Sequence, residues 1–402
     1  MDADSLIRAQ VRALQEQLGW AEKSLAEADI AERVRDAAKN GFGVLFNRRR
    51  GELEKLAGAA ASADKWKMLS KSGQQCAELF QECLGFLGGA LMRDKGAEGG
   101  ICDIAESLLY QLSDDLPRTV TWDGVTLLAE ANFFTETTGL VRLPFPDYGI
   151  WNLPIAVHEL GHFVGPRFSD GGDGFPFRDL LCEKKLNNCL KAEKLSDEEL
   201  ETQISHLREL FSDLFAVYAV GPAYACSCLL LSFNPADETA CEDSETHPSH
   251  ARRAHLILTA LDQMSKSEPG QPYENVVNTL RGLWSANLAA AGRDDCLSDK
   301  DGAAVKYQLF PLYTMVNAHL STVRYAGRDR ARRLRETLLS DEEPSALLKP
   351  EDRLADVINA AWGWRLNQEQ EDDDEVHRVQ LKAAALCREI MRRYRARREG
   401  QD

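Results

Sequence analysis

The residues with the clearest capacity for chemistry are His158-Glu159-Leu160-Gly161-His162. Histidines four apart on a helix stand one turn apart on the same face, so both imidazoles can reach one metal ion. Glu159, rotated beside them, can take a proton from a water in the metal's open coordination position. Ala156, Val157, Leu160, Phe163 and Val164 make this helix apolar around much of its circumference, which predicts partial burial of the histidines and the glutamate. Unpaired ionisable groups are costly there, and a cation satisfies imidazole nitrogens and carboxylates together. A surface helix with incidental histidines is the plain alternative.

A tetrahedral catalytic site needs a third protein donor. The extension HExxHxxGxxH fails, because Gly165 is present but Phe168 stands where the last histidine belongs. The better candidate is Glu209-Leu210-Phe211-Ser212-Asp213, on an apolar helix. Glu209 and Asp213 again share one face, so one carboxylate can reach the metal while Asp213 accepts from a ligand imidazole and orients it. His206, three residues before Glu209, is a rival donor, and a solvated acidic pair partnered by His206 and Arg208 is the plain alternative. Two imidazoles, one carboxylate and an open position suit a single zinc ion best.

These residues resemble the gluzincin metallopeptidases, whose pattern is HExxH followed on a second helix by ExxxD. His158, Glu159, His162, Glu209 and Asp213 fall on it one by one. Within that clan the likeness is to the group typified by the heat-shock membrane metalloprotease and the prenyl-protein endopeptidase, which carry a later HPxxxxR segment. Here His247-Pro248-Ser249-His250-Ala251-Arg252-Arg253 puts His247 and Arg253 on the corresponding positions. The match covers about residues 152–256.

The resemblance implies a zincin-like core acting on a protein or peptide substrate, with zinc on His158, His162 and Glu209 and with Glu159 as general base. It also implies a place for His247 near the oxyanion and for Arg253 at the carboxylate cluster. Gly139-Leu140-Val141-Arg142-Leu143 looks like the edge strand on which such enzymes align an extended substrate. The chain departs from that group in lacking convincing transmembrane helices, so it resembles a soluble relative. Two other classes stay open: a helical regulatory or interaction protein with a structural or inactive zinc site, and a zinc hydrolase of a non-peptide amide. The retained Glu159 argues against the first, since a structural site needs no general base.

The elements that must position these residues are mainly helices with a small β-sheet, an α+β chain. Ile7, Val11, Leu14, Leu18, Ala21, Leu25 and Ala28 form a short heptad seam in a helix predicted over residues 5–38. Cys76, Leu79, Phe80, Cys83 and Phe86 mark a second helix-rich stretch within residues 51–92, and the two predict a packed hairpin or bundle. From Thr119 the pattern turns extended, through Thr119–Trp122, Val125–Leu128 and Leu140–Leu143. Asn152 and Pro154 resemble the start of the motif helix. The expected division is an N-terminal helical segment over 1–98, a zincin-like core over 99–325 and a C-terminal helical region over 326–402. Ser169–Phe175 reads as a solvated Gly/Asp turn, since it lacks the spacing of a calcium loop.

The chain has 402 residues, 44% hydrophobic and 28% charged, which is the mixture of a globular protein with more than one packed unit. Its net charge of -16 repels phosphate backbones, so no nucleic-acid partner is expected. The run from Leu214 to Phe233 is long enough to span a bilayer, but Gly221-Pro222 interrupts it and predicts a buried helix pair instead of a membrane span. MDADSLIRAQ does not resemble a signal peptide, which gives a cytoplasmic expectation and reads all ten cysteines as thiols. Arg324–Arg335 and Lys382–Arg398 are basic, and Glu369–Glu375 is nearly all acidic. A structural C-terminal helix answered by acidic neighbours is the main reading of these runs, and an arginine-rich contact for an acidic partner, RNA or membrane surface is the other.

Overall fold

The computed structural model describes residues 3–58, 62–97, 99–129, 133–135, 140–144, 149–167, 196–293, 299–368, 372–398 and 400. The Gly/Asp turn expected at Ser169–Phe175 lies outside these residues. The described residues are mostly helical, with one small three-stranded sheet. It divides into two compact units, one of residues 1–102 with 123–146, the other of residues 103–122 with 147–402. The strands therefore group with the N-terminal helices, and the basic C-terminal region groups with the motif helices.

In the first unit, α1 (Ala3–Glu27), α2 (Glu32–Gly58) and α3 (Ala63–Asp94) pack pairwise. Of the heptad seam, Ile7, Val11, Leu18 and Leu25 are buried in one apolar cluster with Phe42, Phe46, Cys83 and Phe86, and Leu14, Ala21 and Ala28 pack against it partly buried. The single helix predicted over 5–38 is instead broken after Glu27, and three helices stand where a hairpin was one option. Asp94 at the end of α3 accepts from the backbone N–H of Ala31 at 2.8 Å and so answers a free amide at the head of α2.

Three strands complete this unit: β1 (Thr126–Ala129), β2 (Phe133–Thr135) and β3 (Leu140–Pro144). β3 pairs parallel with β1 and antiparallel with β2. The segment expected to be a substrate-aligning edge is thus the central strand, its backbone groups engaged on both sides. Thr119–Trp122, also expected to be extended, starts in a 3₁₀ turn over Arg118–Val120. The chain turns there because Pro117 accepts from Val120 N–H, while the Trp122 N–H donates to Ser113 Oγ at 2.7 Å.

The second unit holds α4 from residue 103 onward (Ile101–Asp114 in full), α5 (Leu153–Arg167), α6 (Asp197–Val220) and α7 (Pro222–Ser227). Next come α8 (His250–Lys266), α9 (Glu274–Ala290), α10 (Asp299–His319), α11 (Arg328–Arg335), α12 (Pro344–Leu347), α13 (Leu354–Arg365) and α14 (Asp373–Arg398). α6 opens with a reciprocal cap between Ser196 and Glu199. It ends at Gly221, whose φ of 62° lies in the left-handed region that favours glycine. The Asn359 amide donates to Val220 O at 2.8 Å and accepts from Ala223 N–H at 3.0 Å, so the backbone groups freed at the break are satisfied from α13.

That break divides the apolar run 214–233 into two buried helices and a terminal π turn. No described helix is long and apolar enough to cross a membrane. α14 buries Val379, Ala383, Leu386, Cys387 and Ile390, and Leu381 is exposed. Among the described residues six cysteines are free and buried, but Cys241 is disulfide-bonded, so the reading of all ten as thiols does not hold for it. Disulfides persist in oxidising compartments, and the cysteines therefore lend no weight to a cytoplasmic location.

Candidate metal centre

The centre forms where α5 crosses α6. At the crossing a methyl group on Gly161 would lie 2.7 Å from Cα of Ser212, so only glycine lets the two backbones approach this closely. Ser212 lies between Glu209 and Asp213, and the crossing thereby brings the acidic pair against the histidine pair. The sequence offers this glycine inside the motif itself.

His158 Nε2 and His162 Nε2 are 3.1 Å apart. Glu209 completes the group, with Oε2 3.3 Å from His158 Nε2 and Oε1 3.2 Å from His162 Nε2. His158, His162 and Glu209 are a group that could hold a metal ion. With bonds of about 2.0–2.1 Å, the corners of a tetrahedron around zinc lie about 3.3 Å apart, so the spacing of these donors fits such an ion. His158 and Glu209 are buried and His162 is partly exposed, which leaves the centre open on one side.

The chemistry of the donor set agrees with the distances. His158 Nδ1 lies 3.0 Å from Asp213 Oδ1, so an Nδ1–H is turned there and Nε2 faces the other donors. Asp213, fully buried, also accepts from Arg253 Nε and Nη2, each at 2.8 Å. Burial works against its charge, but the Arg253 guanidinium outweighs burial and holds the carboxyl below its usual range. Glu209 is likewise held well below the usual range, against burial, by hydrogen bonds from His158 and His162. His158 resists burial in the opposite sense: Asp213 and Glu209 raise it to about 9.

Glu159 differs from these two carboxylates. It is buried, it has no hydrogen-bond partner among the described residues, and burial pushes its carboxyl above the usual range despite the nearby histidines. A carboxyl raised by desolvation beside cation-binding donors is suited to moving a proton.

His247 stands at the open side, with Nε2 3.5 Å from Glu209 Oε1 and its side chain 54% exposed. Burial lowers its pKa, so the ring is readily neutral. Arg253 reaches Glu209 as well, at 3.7 Å. All seven residues singled out in the sequence, His158, Glu159, His162, Glu209, Asp213, His247 and Arg253, therefore belong to one neighbourhood. His206, the rival donor, does not join the donor group. Its Nε2 is 2.7 Å from Ser244 O, and with Ser205 Oγ, which donates to Thr246 O at 2.9 Å, it fastens the loop that carries His247. His250 stacks on Phe233 and also stays out.

Sequence reasoning missed Tyr224. Its hydroxyl donates to Asp213 Oδ1 at 2.5 Å and lies 3.0 Å from His158 Nδ1, and its ring stacks on that imidazole. The break at Gly221 redirects the chain so that α7 can deliver this phenol. The only signal in the sequence was a tyrosine within an apolar run, where a buried O–H must find an acceptor.

No protein-family model, curated protein or solved structure matches the chain.

Proposed function

We propose that the chain is a zinc-dependent metallopeptidase with a gluzincin-like centre. What supports this reading is the convergence of His158, His162 and Glu209 at donor spacings of 3.1–3.3 Å beside the buried Glu159. A site built only for structure has no use for a desolvated carboxyl next to its donors.

His158, His162 and Glu209 would hold one zinc ion, which when bound lowers the pKa of a coordinated water and polarises a substrate carbonyl. Glu159 takes a proton from the attacking water and returns it to the departing amine. His247, at the exposed mouth, donates from Nε2 toward the carbonyl oxygen as negative charge builds on it. Asp213, charged and clamped by Arg253 and Tyr224, fixes the tautomer and orientation of His158. The substrate is a protein or peptide segment that enters from the side on which His247 is exposed.

Elemental analysis of the purified protein, with digestion of a peptide library, tests the reading. The expected result is one equivalent of zinc, cleavage by the wild type, and a Glu159→Gln variant that keeps the metal and loses turnover. Zinc at one equivalent with no cleavage of any peptide by the wild type would refute the peptidase assignment.

A further inference from the structure

Helix α11 has the sequence RDRARRLR, five arginines in eight residues, and its faces are treated differently. Arg330 donates to Asp356 at 2.7 Å and Arg333 to Asp352 at 2.5 Å, and both carboxylates are fully buried. These two arginines are structural. Arg328, Arg332 and Arg335 lie on another face, at i, i+4 and i+7. Among the described residues Arg328 and Arg332 pair with Asp329, which is itself 69% exposed, and Arg335 has no ion-pair partner.

The three unabsorbed arginines line one cavity of about 340 Å³, a volume within the range of small-ligand sites. Its other walls include Tyr273, Tyr325, Trp362 and Gly363, and no described carboxylate lines it. In a chain of net charge -16, three arginines answered by the single exposed Asp329 make this pocket locally cationic, and it attracts anions. Tyr273, 4% exposed, contributes to the wall, and its hydroxyl is sealed from solvent without a hydrogen-bond partner among the described residues. The chain reaches Tyr273 through Gln271, which holds φ at 44°, a left-handed conformation unusual for glutamine.

We propose that this cavity, separate from the metal centre, binds a small ligand carrying a diphosphate group. Guanidinium forks match phosphate oxygens, and seven helical residues space the outer arginines by about 10 Å, which suits a diphosphate better than a single carboxylate. The aromatic and apolar walls take a ring or other apolar body attached to it. Free diphosphate and a nucleoside diphosphate share this chemistry.

Calorimetric titration of the full chain with inorganic pyrophosphate, ADP and tetraglutamate, at about physiological salt, distinguishes the sources. The expected result is micromolar binding of ADP. Pyrophosphate binding as tightly makes free diphosphate the ligand, whereas weaker pyrophosphate binding assigns the ring to the aromatic walls. The double variant Arg332→Gln with Arg335→Gln should weaken ADP at least tenfold. Gly363→Leu supplies an independent check, since a side chain there starts in ordinary contact 3.7 Å from Arg335 Cδ and extends into the cavity without harming a helix. It should abolish binding while leaving the circular dichroism unchanged. The proposal is overturned if neither phosphate probe binds below millimolar, if tetraglutamate binds as well as ADP, or if both variants retain wild-type affinity, which would move phosphate binding to the metal centre.

Discussion

Replacing Gly161 by alanine tests whether the helix crossing builds the metal centre. The added methyl would start 2.7 Å from Ser212 Cα and 3.0 Å from its Cβ and Oγ. Carbon atoms are comfortable at about 3.5–4.0 Å, so α5 and α6 must part by about 1 Å at this point. Glu209 and Asp213 flank Ser212 on the same helix and move with it. The donor gaps of 3.2 and 3.3 Å between Glu209 and the histidines then open toward roughly 4 Å, wider than the ~3.3 Å that tetrahedral bonds to one zinc ion span.

Metal affinity should fall by about 100-fold, the upper end for disturbing the support of a ligand set. Overpacking costs about 1–3 kcal/mol, partly offset by the ~0.5–1 kcal/mol that alanine gains over glycine in a helix. The metal-free variant should therefore lose no more than about 2.5 kcal/mol. Competition against a fluorescent zinc chelator measures the first quantity, and denaturant unfolding in EDTA the second. Gly282→Ala serves as control, because nothing stands within 4 Å of the added atom. Wild-type zinc affinity in Gly161→Ala would refute the reasoning, since the centre would then not depend on backbone contact at Ser212.

Tyr224→Phe removes one donor to Asp213 without changing shape; zinc affinity should drop by about 10-fold with the fold retained, and an unchanged dissociation constant would show the phenol to be mere packing. Arg253→Met leaves the Asp213 charge buried and unclamped, which should cost about 3–5 kcal/mol in urea unfolding; a loss under 1 kcal/mol contradicts the electrostatic account. In α14, Arg392 and Arg393 hold Glu389 down at about 2, from an ordinary 4.5. A lowered carboxyl contributes stability above its unfolded pKa and loses it as pH falls from about 4.5 toward 2. Glu389→Gln should therefore destabilise the protein more at pH 7 than at pH 3, and an equal loss at both would exclude this pair as the source. Alanine at Gly89 of α3 would strike the Leu128 carbonyl, so this variant should lower the unfolding midpoint, and a raised midpoint would mean that β1 yields easily.

Much of the centre was legible because its parts are local. His158 with His162, and Glu209 with Asp213, share faces through helical periodicity alone, and the apolar surroundings predicted helices for both. The break at Gly221-Pro222 was equally visible, since φ near 62° and a missing N–H are properties of those residues themselves. Periodicity was less informative at Ala28–Ala31, where α1 gives way to α2. There the apolar spacing continued across a break capped by Asp94, from the far end of another helix.

What the chain spells out by itself is the inventory of donors and the faces they occupy, because one turn of helix fixes which side chains can stand together. Tertiary packing alone decided that Glu209 approaches the two histidines while His206 turns away to Ser244, for both lie on the same helix and differ only in what packs against them. The same holds for Tyr224 reaching Asp213 and for β3 taking the centre of its sheet. A partner distant in sequence leaves no periodic trace in either segment, so such pairings become visible only when burial forces each polar group to find the neighbour that satisfies it.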